Sequence, residues 1–174
     1  MSAGGANTGW GKTVSLLALL PLLAGCYHMR VEAEAIEPRV VEVSRSPAEA
    51  LRRIRRLMEN DMRLRIMAEE NDGATLVTAP WHFYTDTGFG QPAGGRKYYT
   101  QLRINVLARS GGSTVTLAHY NYEIRTSYAY GQDGQVMTMY KHYPHEHYPG
   151  MFDNAPLIKE LKGVSDAIVR VCHD

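Results

Sequence analysis

Residues 98–124 have the sequence YYTQLRINVLARSGGSTVTLAHYNYEI. Apolar side chains alternate with polar ones over residues 98–108, which is the period of a strand with one buried face. Gly111-Gly112 is typical of a tight turn, and a second alternating run follows over residues 114–124. The apolar residues of this second run change parity, so we expect a β-bulge near Leu117. The stretch therefore predicts two antiparallel strands joined by a hairpin.

Shorter strands are predicted on both sides of this hairpin. Residues 62–69 alternate in the same way, and the Asn71-Asp72-Gly73 sequence that follows is a strong turn signal. The next strand should begin at residue 76 and end at about residue 81 or 84, with Pro80 indicating an edge or a bulge. A short fifth strand over residues 136–140 is an open alternative to a loop.

Two helices enclose the strands in the sequence. Ser46, Pro47 and Glu49 form a capping box with proline in the first turn. The apolar stripe after this cap consists of Ala50, Leu51, Ile54, Leu57 and Met58. Asp153 or Asn154 can cap the last helix. The apolar stripe of that helix consists of Leu157, Leu161, Val164, Ile168 and Val171.

The order of these elements predicts an α+β fold. We expect a twisted antiparallel sheet of four to five strands with an N-terminal and a C-terminal helix packed on its apolar face. The other face would be open to solvent or to a partner. This order resembles that of the helix-grip domains of outer-membrane assembly lipoproteins such as BamC. The resemblance concerns architecture alone and carries no functional residue over to this chain.

The N-terminal segment has the pattern of an export signal. The hydrophobic run over residues 13–23 is shorter than the about 20 residues that span a bilayer. Leu23-Ala24-Gly25-Cys26 resembles the lipobox of bacterial lipoproteins. The resemblance implies removal of a signal peptide, residues 1–25, and attachment of diacylglycerol and an acyl chain to Cys26. Tyr27, where aspartate would imply retention at the inner membrane, implies a lipid anchor in the outer membrane of a Gram-negative cell, facing the periplasm.

The chain of 174 residues then divides into three parts. A signal peptide over residues 1–25 precedes a lipidated cysteine and tether over residues 26–45, and residues 46–174 form a single α+β domain. The tether leads to a short extended segment over residues 40–43. A net charge of +1 gives no support to a general nucleic-acid binder. The expected partners are the membrane, through the lipid anchor, and an envelope protein or peptidoglycan.

A histidine-rich segment suggests one candidate site. His142, His145 and His147 lie close together in the sequence, and His119 or His82 could complete a ligand set. Neutral imidazoles are good ligands for zinc or copper, although the spacing matches no standard metal motif. We keep a periplasmic metal-binding lipoprotein as the alternative function. A solvated histidine-rich loop would have the same sequence.

Tyrosines suggest a second candidate site. Tyr120, Tyr122, Tyr128 and Tyr130 could contact a protein or glycan partner, because tyrosine supplies apolar area with a polar tip. Tyrosine is also favoured in half-buried strands, so the same pattern fits a purely structural role.

The sequence contains no nucleophile-elbow, zinc-protease or phosphate-loop motif. Cys172 continues a helical apolar stripe, which favours a core residue over a nucleophile. We therefore expect a non-enzymatic envelope lipoprotein without a resident cofactor, which binds partners through its sheet face or its Tyr/His-rich loop.

Overall fold

A computed structural model describes residues 34–88, 95–132 and 135–173, with only the backbone for residues 129–132 and 135–137. The elements are β1 (Arg39–Val43), α1 (Pro47–Arg56), β2 (Ile66–Glu70), β3 (Thr75–Thr78), β4 (Trp81–Asp86), β5 (Arg96–Arg109), β6 (Gly112–Gln132), β7 (Gln135–Pro144) and α2 (Ala155–His173). The mixed class with an antiparallel sheet and two helices is confirmed. The predicted strand number was too low, because the described residues form a sheet of seven strands.

The β5–β6 hairpin lies at the centre of the sheet. The strand order is β1-β6-β5-β3-β2, while β4 pairs with a second part of β5 and β7 with a second part of β6. Each long central strand therefore has two shorter neighbours along one edge. All pairings are antiparallel.

The strand predicted to run through Pro80 is divided into two. β3 pairs with β5 through Val77 and Arg103, whereas β4 begins its own pairing at Trp81 and Thr100. Proline has no backbone N–H and cannot donate to the ladder, so the chain leaves one strand before it and starts another after it. Pro80 therefore separates two strands, whereas the sequence predicted one strand with an edge or a bulge at this residue.

The sheet includes residues that the sequence analysis assigned to the tether. β1 pairs with β6 from Arg39 to Val43, and Val43 is fully buried. The Asn154 side-chain amide also donates to the main-chain oxygen of Glu34 at 2.9 Å. The fold thus begins before residue 46. The predicted signal peptide and Cys26 lie outside the described residues.

The strand predicted over residues 62–69 begins later, at Ile66. A π-helical segment, Leu57–Asp61, continues α1, and residues 62–65 connect it to β2 without regular structure. A register shift between Ile66 and Ala68 then leaves Ala68 exposed. The alternating sequence was therefore a correct sign of a strand but a poor guide to its start and to its inward face.

Both helices contribute their apolar stripes to one core cluster with the sheet. The inward-facing residues of the two central strands include Leu102, Ile104, Val106, Val115, Leu117 and Ile124. Four of the five stripe residues predicted for α2 are buried, and Cys172 rather than Val171 continues the stripe. In α1, the Ser46 hydroxyl accepts from the Glu49 backbone N–H at 3.4 Å, as expected for a helix cap.

Two arginines join the end of α2 to the start of the fold. Arg53 of α1 donates to the Val171 main-chain oxygen at 2.7 Å, and Arg45 donates to that of Cys172 at 3.0 Å. Main-chain carbonyls at a helix C-terminus lack intrahelical partners and carry partial negative charge. The guanidinium groups satisfy these carbonyls and complement the helix dipole.

The bulge expected near Leu117 lies at Asn121 instead. The β5–β6 register shifts opposite Thr100, between the pairs Gln101–Tyr120 and Tyr99–Glu123. Asn121 adopts a positive φ of 48°, which asparagine tolerates better than most residues. Inward-facing positions are odd-numbered up to Leu117 and even-numbered from Tyr122. Tyr120, which the sequence placed on the apolar face, is therefore exposed.

The fifth strand is confirmed and is longer than predicted. Beyond Arg125, the last β6 residue paired with β5, β6 is paired with β7 alone. We call this part of the hairpin, β6 residues 126–132 and β7 residues 135–141, the two-stranded ribbon. Exposed side chains of the ribbon include Met139 and Tyr140.

We expect Gly112→Ala to lower the free energy of unfolding by about 2 kcal/mol or more, because a Cβ at Gly112 would overlap the main-chain oxygen of Val43 in β1. Gly163→Ala is the matched control. No atom lies within 4 Å of a Cβ at Gly163, and alanine should stabilise that helix position by about 0.5–1 kcal/mol. Urea denaturation measures both changes, and an unaltered midpoint for Gly112→Ala would contradict the close approach of β1.

Candidate functional site

A cleft with a cavity volume of about 480 Å³ lies at the Asn121 bulge. We call it the bulge cleft. It is lined by Pro80, Gln101, His119, Tyr120, Asn121, Tyr122, Glu123, Pro144, His145 and Glu146. Its volume is within the range of about 300–1,000 Å³ that small-ligand sites occupy.

The strand pairing explains why the cleft forms at this point. β1 pairs with β6 only as far as Leu117, and β7 begins its pairing at Glu123. The edge of β6 between these residues has no neighbouring strand in the described pairings. One backbone contact reaches it, from the His145 N–H to the Tyr122 oxygen at 2.9 Å. The bulge and the gap between β1 and β7 therefore coincide.

Aromatic packing fixes the base of the cleft. Tyr122 is only 4% exposed, and its hydroxyl donates to the Asp153 main-chain oxygen at 3.1 Å. His145 stacks on the Tyr122 ring with centroids 5.3 Å apart, and Phe152 meets the same ring edge-on at 4.6 Å. Such aromatic pairs add stability beyond their buried area. The cleft thus shares Tyr122 with the core.

Two imidazoles line the cleft in their neutral form. Burial lowers the pKa of His145, and its Nε2 has no hydrogen-bond partner among the described residues. Burial, together with the nearby His145, also lowers the pKa of His119. A neutral imidazole offers one donor and one acceptor. At neutral pH both rings can therefore form hydrogen bonds in either direction without adding charge.

Two side-chain amides and one carboxylate are held in position around the cleft. Asn121 donates to the Gln101 Oε1 atom at 2.6 Å, and Gln101 donates to the Thr78 main-chain oxygen at 2.8 Å. Glu123 accepts from Arg125 Nε at 2.7 Å and lies 3.5 Å from His142. These contacts orient the polar groups without a ligand.

The four candidate tyrosines are not brought together. Tyr120 and Tyr122 both line the cleft, but Tyr120 is 49% exposed and Tyr122 is buried. Tyr128 lies on the two-stranded ribbon, where Lys141 is 5.5 Å from its ring centre. The side chain of Tyr130 lies outside the described residues. Of the candidate tyrosines whose side chains are described, Tyr120 is an exposed cleft residue, Tyr122 is a core residue and Tyr128 is a ribbon residue.

The three candidate metal ligands also have separate surroundings. His142 faces Glu123, His145 stacks on Tyr122, and the His147 ring lies 3.5 Å from Glu146. Within the described ranges, no group of three or more histidine, cysteine, aspartate or glutamate side chains is arranged to hold a metal ion. His119 lines the same cleft as His145, whereas His82 bonds to Thr85 at 2.7 Å.

Cys172 lies in the core as a free, fully buried thiol. Burial raises its pKa, which keeps the thiol protonated at neutral pH. Because the thiolate is the reactive form, this position agrees with the structural role that the helical pattern predicted.

Sequence reasoning missed three polar residues of the cleft, Gln101, Asn121 and Glu123. Each lies in a strand that the sequence identified, but none of the three was named as a candidate site residue. The parity change in the second alternating run was the available signal. It indicated a bulge, and bulges often reorient side chains next to functional sites.

No model of a known protein family matches the chain, and no curated protein matches it significantly. Of the helices described here, none combines the length and hydrophobicity needed to cross a membrane.

We expect the protein to lose stability as the pH falls below about 6.5, the ordinary histidine pKa. The folded state holds His145 and His119 at lowered pKa values, so the unfolded state binds more protons in this range. The full contribution is present above pH 6.5 and decreases as the pH falls towards the lowered values. Replacing His145 with phenylalanine keeps an aromatic ring on Tyr122 and should weaken the dependence.

Thermal unfolding between pH 7.5 and 5 measures this effect. His147→Phe is the matched control, because that ring is largely exposed. An equally steep loss of melting temperature in His145→Phe and in the unaltered protein would show that the buried ring is not responsible.

Proposed function

We propose that this protein is a non-enzymatic envelope lipoprotein that is anchored by lipid on Cys26 and binds a partner through the bulge cleft. Residues 1–25 would serve as the signal peptide. The folded domain would face the periplasm from the outer membrane, as the resemblance of residues 23–26 to a lipobox and the Tyr27 that follows imply. The partner would be an envelope protein or peptidoglycan.

The binding proposal rests on one observation: an exposed aromatic ring and two hydrogen-bonded side-chain amides line the same cavity. Tyr120 offers an exposed ring, and the Asn121 and Gln101 amides are held by hydrogen bonds at 2.6 and 2.8 Å. Binding sites commonly combine apolar walls with a few well-placed polar groups. Groups already held in place lose less side-chain entropy when a partner binds.

The chemistry of the nearby residues favours binding over catalysis. Glu123 is engaged by Arg125 and lies next to His142, so its carboxylate is already paired. The Cys172 thiol lies in the core rather than at the cleft. Among the described contacts, neither cleft imidazole is hydrogen-bonded to a serine, a cysteine or a carboxylate that it could activate. Such groups suit the recognition of a partner by hydrogen bonds.

A periplasmic metal-binding lipoprotein remains the alternative. The observation in its favour is the pair formed by His142 and Glu123, with 3.5 Å between Nδ1 and Oε2. An imidazole and a carboxylate are both ligands that zinc accepts. A complete site would need further ligands from His145 and His147, which face other partners in the described fold.

We expect envelope partners to co-purify with the lipidated protein from gently solubilised membranes. Cys26→Ser should abolish incorporation of labelled palmitate and release the protein from the membrane fraction. Tyr120→Ala should reduce partner recovery about tenfold, as is usual when a central aromatic contact is lost. Tyr140→Ala, which removes a 73% exposed tyrosine from the two-stranded ribbon, is the control. Equal recovery with Tyr120→Ala and Tyr140→Ala would exclude the cleft as the binding surface.

Zinc and copper should leave the melting temperature unchanged, because His142, His145 and His147 face three different partners. A metal that bound only the folded state would raise the melting temperature with its concentration. A rise that disappears when these three histidines are replaced together by alanine would support the metal-binding alternative instead.

A further inference from the structure

We infer that the bulge cleft binds an uncharged saccharide, with the Tyr120 ring against the sugar face and the Asn121 amide bonded to its hydroxyl groups. This inference rests on the proposed function, because it names the class of partner for the same cleft. The charge, the hydrogen-bonding capacity and the shape of the lining all suit such a ligand.

The lining favours a ligand without formal charge. The Glu123 carboxylate, which lines the cleft, is partly buried and is paired with the Arg125 guanidinium, with 2.7 Å between Nε and Oε1. Glu146 also lines the cleft but is largely exposed to water. An anionic ligand would lie next to these two carboxylates. A cationic ligand would lie next to Glu123, which is already paired with Arg125, and next to Glu146, whose charge is screened by water.

The remaining polar groups both donate and accept hydrogen bonds. Asn121 uses one N–H for Gln101, which leaves its second N–H and its Oδ1 atom available at an exposed position. His119, kept neutral by burial, offers one donor and one acceptor. A sugar hydroxyl also donates and accepts, so neighbouring hydroxyl groups can pair with such side chains while no charge is buried.

The apolar part of the cleft suits the C–H face of a sugar ring. Tyr120 exposes about half of its surface, and Pro80 and Pro144 contribute rigid apolar walls. A tyrosine ring has a partly negative face and little conformational entropy to lose, so it packs well against C–H groups. The volume of about 480 Å³ fits part of a saccharide chain better than a folded protein surface.

Isothermal titration calorimetry with soluble oligosaccharides tests the inference. The probes are the uncharged tetramer of N-acetylglucosamine and maltotetraose, with the cationic glucosamine tetramer as the charged comparison. The full lipidated chain is used in a detergent without a sugar headgroup. At least one uncharged tetramer should bind with a Kd of about 1 mM or tighter. The charged tetramer should bind at least about tenfold more weakly.

Three variants locate the binding. Tyr120→Ala and Asn121→Gly should each weaken it about tenfold, and Tyr140→Ala should leave it unchanged. Glycine accepts the positive φ of 48° at position 121, so Asn121→Gly removes the amide without straining the bulge. Circular dichroism melting checks that each variant remains folded.

The outcomes separate this inference from the proposed function. Failure of both uncharged tetramers to bind, or equal binding by all three variants, would overturn the saccharide inference. The proposed function would still stand if Tyr120→Ala reduced partner recovery from membranes, and the partner would then be a protein. If neither uncharged tetramer binds and Tyr120→Ala leaves partner recovery unchanged, both the saccharide inference and the proposed function are overturned. Tetramer binding that depends on Tyr120 and Asn121 would support both.

Discussion

The two-residue period of the β5–β6 hairpin is the constraint on which the rest of the structure depends. Successive side chains of a strand point to opposite faces of the sheet. One extra residue at Asn121 therefore moves every later side chain of β6 to the face opposite the one it would otherwise occupy. The exchange keeps Leu117 and Tyr122 on the same side, under the helices, although five positions separate them. Tyr120, the last residue before the bulge, keeps the outward orientation of the even-numbered positions in the first part of β6, and the bulge turns Tyr122 inward beside it. Core packing and the cleft are thus two results of one backbone feature.

The base of the cleft is part of the core. Tyr122 packs against Phe152 and bonds to the main chain of Asp153, just ahead of α2. The His145 ring is held between Tyr122 and Phe152. The Asn121 and Gln101 amides beside this base are held by their own hydrogen bonds. A ligand would therefore meet a surface whose ordering was completed when the protein folded.

Local sequence patterns predicted what local interactions determine. The cap at Ser46, the stripe of α2 and the alternation within β5 depend on neighbouring residues, and all three were found. The pairing of β1 with β6 and the position of the bulge depend on contacts between distant residues, which one sequence does not display. His142, His145 and His147 are close together in the sequence, and for that reason they were predicted to form one site. The fold separates them, since His145 enters the aromatic cluster while the other two remain near carboxylates.

The hydrogen bond between Asn154 and Glu34 joins two distant parts of the chain. Asn154 follows Asp153, and the Asp153 oxygen accepts from the Tyr122 hydroxyl at the base of the cleft. Two consecutive residues ahead of α2 thus contact both the start of the described chain and the central strand β6. Because Glu34 and Asn154 are 120 positions apart, their bond closes a long loop, and the entropy cost of closing that loop is part of the cost of completing the fold.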